Sequence, residues 1–208
     1  MQSFLQGRIN LVKATRGSSL SVTREDLELI LTAVMSACAA CRWPGERIDQ
    51  KRFVESLIQF GSPELHLDVG TGALLELGVI SDSSVGKFGQ EIRIFTGDEI
   101  DSAIPDMAQR YPKVSTRDLK QASYPNRIYE WLRCGYAHNY LAAGNTTNFL
   151  PSDGPAQISY IGRREPDGTW VRDARFHLDY LISVAQEQVA TLLKSRLNRP
   201  DQWWIDQS

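Results

Sequence analysis

Residues 129–144 read YEWLRCGYAHNYLAAG. The run has helix-forming composition, yet it carries an arginine and a histidine five positions apart, Arg133 and His138, among aromatic and small side chains. Five α-helical residues turn the chain by about 140° and advance it roughly 7.5 Å. On a regular helix the two side chains therefore leave in different directions. Gly135, between them, offers a point of distortion. A two-fold axis offers another solution, because it would set a second copy of the pair opposite the first. Ile128, Trp131, Leu132 and Gly135 are expected to form the packing face, and Pro125 suits the first turn, where its missing N–H has no helical partner.

The pair suits a phosphodiester. Histidine titrates near neutrality, so it can take a proton from a ribose hydroxyl and return one to a leaving oxygen. Arginine stays charged and presents a planar fork of donors to phosphate oxygens. Tyr136, Asn139 and Tyr140 flank the histidine and offer rings or amide groups to an RNA strand. Such chemistry asks for no metal and no cofactor. The plainer alternative is an arginine that caps a neighbouring helix and a histidine that simply packs.

The rest of the chain reads as scaffold around this stretch. It has 208 residues, 42% of them hydrophobic and 23% charged, with a net charge of −2. These values describe one globular domain, and they exclude both a disordered chain and a protein basic overall. No apolar run reaches the roughly 20 residues of a membrane span, and the first residues lack the order of a signal peptide. A cytoplasmic protein is expected. Residues 1–22 read as an N-terminal arm. Thr23 and Asp26 make a capping-box start for a long helix striped by Leu27, Ile30, Leu31, Val34 and Cys38. DQKRFVESLIQF predicts a second helix and GALLELGVI a short buried one. Residues 81–105 give no firm pattern; KFGQEIRIF leans to a strand and GDEIDSAI to a turn of helix. EPDG, at 165–168, is a turn between two β-leaning runs, so a hairpin is expected over 156–176. A final amphipathic helix follows from residue 178, and the tail over 198–208 holds Trp203 and Trp204, which should dock on this fold or on a partner. The expected fold is all-α, a bundle of five or six helices with a late β-hairpin.

Three other features compete for a function. Cys38 and Cys41 form a C-x-x-C inside a helical pattern, with no second pair and no histidine nearby, and read as small packed thiols. LHLDVGTGALLELG resembles the first motif of class I methyltransferases that use S-adenosylmethionine, with Gly70 and Gly72 admitting a cofactor; such a fold needs repeated strand–helix alternation, which the C-terminal half does not offer. Arg163, Arg164, Arg172 and Arg175, interleaved with Tyr160 and Trp170, form a basic hairpin that either grips RNA or pairs with Glu165, Asp167 and Asp173. His66 and His177 stand in no motif.

IYEWLRCGYAHNY also resembles the HEPN superfamily, in the bacterial form Y-x-x-L-R-C-G-x-x-H, with Arg133 and His138 at the matching positions. The resemblance covers the motif helix closely and its neighbours loosely. It implies a helical bundle, a homodimer with the motif helices near the two-fold axis, and metal-independent RNA cleavage in toxin–antitoxin or antiviral defence systems. An antitoxin or other defence protein would then be a partner. The residue after the arginine is commonly polar in active members; Cys134 stands there here, so a catalytically silent RNA-binding or protein-interaction module is the alternative.

Overall fold

The computed structural model describes residues 1–16, 18, 21–61, 68–139, 156–166, 168, 170–192 and 198–207. Most of these residues are helical. Helix α1 spans Gln2–Thr15, α2 Arg24–Arg42 and α3 Asp49–Phe60. Strand β1 (Asp68–Val69) leads into α4 (Thr71–Glu76). Then come β2 (Ile94–Thr96), α5 (Gly97–Ile100), β3 (Ser102–Ala103), α6 (Ile104–Arg110) and α7 (Thr116–Gln121). The motif helix is built from α8 (Tyr124–Arg127), a π-helical segment Ile128–Cys134 and α9 (Gly135–Asn139). Strands β4 (Ile158–Arg164) and β5 (Trp170–Phe176) precede α10 (Leu178–Ala190), and a single turn, Trp204–Asp206, lies near the C-terminus.

Helix α2 is the centre of the helical layer. Thr23 and Asp26 close the capping box that the sequence predicts. Its buried stripe, Leu27, Leu31, Val34, Met35 and Cys38, meets α1, α3, α10 and the π segment. The N-terminal arm is not unstructured: α1 buries Leu5, Ile9 and Val12 in the same core. Where α2 ends, Arg42 is buried and satisfied by four acceptors. It donates to Ser56 Oγ and Gln188 Oε1 at 2.6 Å, and to the Gln188 carbonyl and Thr191 Oγ1 at 2.8 Å. Removing that guanidinium would strand polar groups of α3 and α10 in the core.

The all-α expectation is overturned. Among the described residues, five strands form two small antiparallel sheets, so the fold is mixed although mostly helical. The hairpin is present, with β4 and β5 paired from Ile158↔Phe176 to Arg164↔Trp170. Its turn has the expected chemistry: Gly168 has φ +90° and its N–H donates to the Glu165 carbonyl at 2.9 Å. A two-stranded hairpin is marginal alone. Here β2, from the unpatterned region, adds a third strand through Ile94↔Ile161 and Thr96↔Ser159. The second sheet pairs only β1 with β3. Strands this short carry no periodicity that a sequence could reveal.

The three-stranded sheet packs its inner face on the motif helix. Phe176 lies 5.5 Å from Tyr124 and 6.0 Å from Trp131, ring to ring, and Tyr160 lies 5.5 Å from Phe88. The C-terminal tryptophans dock on this same chain. Trp203 meets Trp43 edge-on at 5.7 Å, and Lys120 Nζ donates to the carbonyls of Trp204 and Gln207. Among the described residues no helix is long and apolar enough to cross a membrane.

One carboxylate joins these parts. Asp101 Oδ1 accepts from the Thr71 backbone N–H, and its Oδ2 accepts from the hydroxyls of Tyr124 and Tyr160, each at 2.7 Å. Burial pushes its carboxyl up to about 6, while the three donors pull the other way. Because the folded form binds the proton more tightly than the unfolded chain, this contribution to stability is complete below about pH 4 and is lost as pH rises through about 6. Urea unfolding of wild type and Asp101→Asn should show it: relative to the variant, the wild type loses on the order of 2–3 kcal/mol between pH 4 and pH 7. A pH-independent difference contradicts the assignment.

Candidate functional site

The motif helix starts under the sheet and ends at the surface. Tyr124 through Ile128 are buried, Trp131, Leu132, Gly135 and Tyr136 continue the buried face, and His138 is exposed. The expected packing residues Ile128, Trp131, Leu132 and Gly135 all face the core. Distortion is present, but it lies before Gly135 rather than at it. Residues Ile128–Cys134 are π-helical, with hydrogen bonds from i to i+5. A turn that closes over five residues brings positions five apart nearer to one face than an α-turn does, but the segment ends at Cys134 and most of the span from Arg133 to His138 is α-helical.

Arg133 sits at the end of that wide segment. It is half-buried, its guanidinium lies 5.6 Å from the Tyr129 ring centroid, and it lines a crevice of about 30 Å³ with Ser36, Asp49, Arg52 and Phe53. Asp49, the one acid there, is paired with Arg52. Among the described residues Arg133 makes no ion pair, so its charge is held against an aromatic face and remains available to an anion. His138, five residues on, is exposed and makes no hydrogen bond to a described residue. No hydrogen bond joins the two groups within one chain.

The supporting residues fare unequally. Tyr136 is buried, and its hydroxyl donates to Glu28 Oε2 at 2.5 Å, while Arg24 holds the other carboxylate oxygen at 2.5 Å. It fixes α9 to α2 and offers no ring to a ligand. The Asn139 side chain and Tyr140 lie outside the described residues. Arg163 is paired with Glu165 and, at 2.9 Å, with Asp173. Arg172 is buried, donating to the Phe88 carbonyl at 2.8 Å and stacking over Trp170 at 4.6 Å. Arg164 alone of these reaches outward without a carboxylate partner among the described residues; its Nε donates to the Gly168 carbonyl at 3.4 Å. The hairpin is thus mostly knit by its own ion pairs.

The rival motifs resolve into packing. Cys38 is buried, and burial pushes its thiol up to about 11; Cys41 is exposed, so of the two thiols expected to pack, Cys38 does and Cys41 does not. His177 is buried against Ser159 Oγ at 2.8 Å, and His66 lies outside the described residues. No group of metal-ligating side chains occurs among the described residues. Gly72 answers to a neighbour within the fold: a Cβ there would lie 2.8 Å from Tyr160 Cε1. Its strand, β1, pairs antiparallel with β3, unlike the parallel strands of a doubly wound fold. Asp101, which draws this region together, belongs to no motif and left no trace in the sequence pattern.

No family model matches the chain, and no curated protein or solved structure shows significant similarity to it.

Gly72→Ala should destabilise the fold by about 1–3 kcal/mol through overpacking on Tyr160. Combined with Tyr160→Leu, which makes room but deprives Asp101 of one donor, the two losses should be less than additive by at least ~0.5 kcal/mol in urea unfolding. Strict additivity would show that the glycine serves something other than the tyrosine.

Proposed function

We propose that the chain is an endoribonuclease of a prokaryotic defence or toxin–antitoxin type, acting as a homodimer in which Arg133 and His138 cleave RNA without a metal. The observation that carries this reading is the state of the pair. A half-buried guanidinium braced on Tyr129 has no carboxylate partner among the described residues, and one turn further on a histidine stands in solvent. Sequestered yet uncompensated positive charge is unfavourable for the free protein unless it serves an anion.

In the proposed reaction His138 takes the proton from a ribose 2′-hydroxyl, and that oxygen attacks the adjacent phosphorus. The P–O5′ bond breaks, and the departing 5′-oxygen receives a proton from the histidine of the opposite copy. Arg133 balances the charge that gathers on the non-bridging oxygens. The products are a 2′,3′-cyclic phosphate and a free 5′-hydroxyl. A two-fold arrangement supplies the second histidine that one chain lacks. An antitoxin that covers the exposed end of the motif helix would silence it.

A second reading, a catalytically silent RNA-binding module, is favoured by one observation: the guanidinium faces the Tyr129 crevice while the imidazole faces solvent. The two separate in one assay. With single-stranded RNA in EDTA, His138→Ala should lower the cleavage rate by about 10²–10⁴-fold, the usual worth of a general acid–base group. Its melting temperature should not change, because the side chain is exposed. Cleavage that survives in His138→Ala rejects the mechanism; RNA binding by both proteins with no product from either selects the silent module.

A further inference from the structure

A crevice away from the motif helix lies between the segment leaving α4 and the segment leaving α6. It encloses about 560 Å³ and is lined by residues 78–81, Ser84 and residues 110–114. That size suits a small organic molecule. Val79, Ile80, Tyr111 and Val114 are half-buried and give it apolar walls. Two cations, Arg110 and Lys113, are among its lining residues, and no acid is.

Several cations elsewhere on the surface are paired with acids. Arg16 pairs with Asp179, Arg93 with Glu91 and Glu99, and Arg163 with Glu165 and Asp173. Arg110 and Lys113 make no ion pair among the described residues. Arg110 is nevertheless held in place: Nη1 donates to the Ile100 carbonyl at 3.2 Å and Nη2 to Ser102 Oγ at 3.1 Å. A fixed guanidinium beside an exposed ammonium matches the two charges of a phosphate monoester better than the single charge of a carboxylate. Burial pushes the Tyr111 hydroxyl up, so it stays protonated and able to donate.

We propose that this crevice binds an organic phosphate with a flat apolar body, of the size of a nucleoside monophosphate. The phosphate meets Arg110 and Lys113, and the base lies against Val79, Ile80, Tyr111 and Val114. The inference does not rest on the nuclease reading. A free nucleotide and one nucleotide of an RNA strand share this chemistry.

Calorimetric titration of the intact chain separates them, with AMP, adenosine, inorganic phosphate and a 2′-O-methyl tetra-adenylate as probes. AMP should bind saturably, at least about tenfold tighter than adenosine or phosphate, with a loss of about tenfold or more in Lys113→Glu. Lys113 is exposed, so that variant should melt with the wild type. Arg110→Ala should weaken AMP as well. Tighter binding of the tetramer than of AMP, with the same sensitivity to Lys113→Glu, assigns the site to a strand. Three results overturn the proposal: no binding of AMP or tetramer, binding indifferent to Lys113→Glu, or phosphate alone binding as well as AMP.

Discussion

Asp101 is the constraint on which the arrangement of the sheet and the motif helix depends. Its carboxylate takes one hydrogen bond from the first turn of α4, one from the first residue of the motif helix and one from the middle strand of the three-stranded sheet. Three elements distant in sequence are thereby fixed to one group. Leaving any of these donors unsatisfied in the interior would be expensive, on the order of 1–3 kcal/mol each. The arrangement has a counterpart in the helical layer, where Arg42 gathers α3 and α10. Each layer is pinned by one buried polar group whose partners are nearly all found, and the apolar core fills the space between.

That division explains what was legible in the sequence. Helix α2 carries an apolar period and a capping box, and both α2 and α3 are found where the sequence predicts them. The hairpin follows from a turn whose residues have specific backbone preferences. The sheets did not follow, because β1, β2 and β3 have two or three residues each, and their stability comes from β4, from one another and from Asp101. A contact formed across about thirty or sixty residues leaves no local pattern. The role of the glycine loop was hidden for the same reason. Gly70 and Gly72 are small to admit Tyr160, a demand invisible from residues near 70.

The candidate site was legible as chemistry and not as geometry. The sequence names Arg133 and His138 and marks the helix as irregular at Gly135, but the irregularity is a π segment that ends there. It also offers Tyr136 as a neighbour of the histidine, whereas the fold turns that ring inward to Glu28. Sequence proximity assigns side chains to one region; only packing assigns them to one face. The same holds for the hairpin arginines, three of which look alike in sequence. Arg163 is paired with acids, Arg172 is buried and Arg164 reaches outward.

The motif helix is therefore asymmetric in a way that bears on how it would work. Its first turn is clamped by Asp101 and the aromatic contacts of the sheet, and Tyr136 ties α9 to α2 on the inward side. Between these two fastenings lies the π segment, whose hydrogen bonding is poorer than that of an α-helix. A weaker stretch held at both ends can place Arg133 accurately without relying on local helix propensity, since the flanking fastenings set its position. His138 lies beyond the second fastening, on the exposed face, where a ligand or a second copy can reach it. The residues that hold the helix in place are thus distinct from the imidazole, which is why a change at His138 can be made without disturbing the fold.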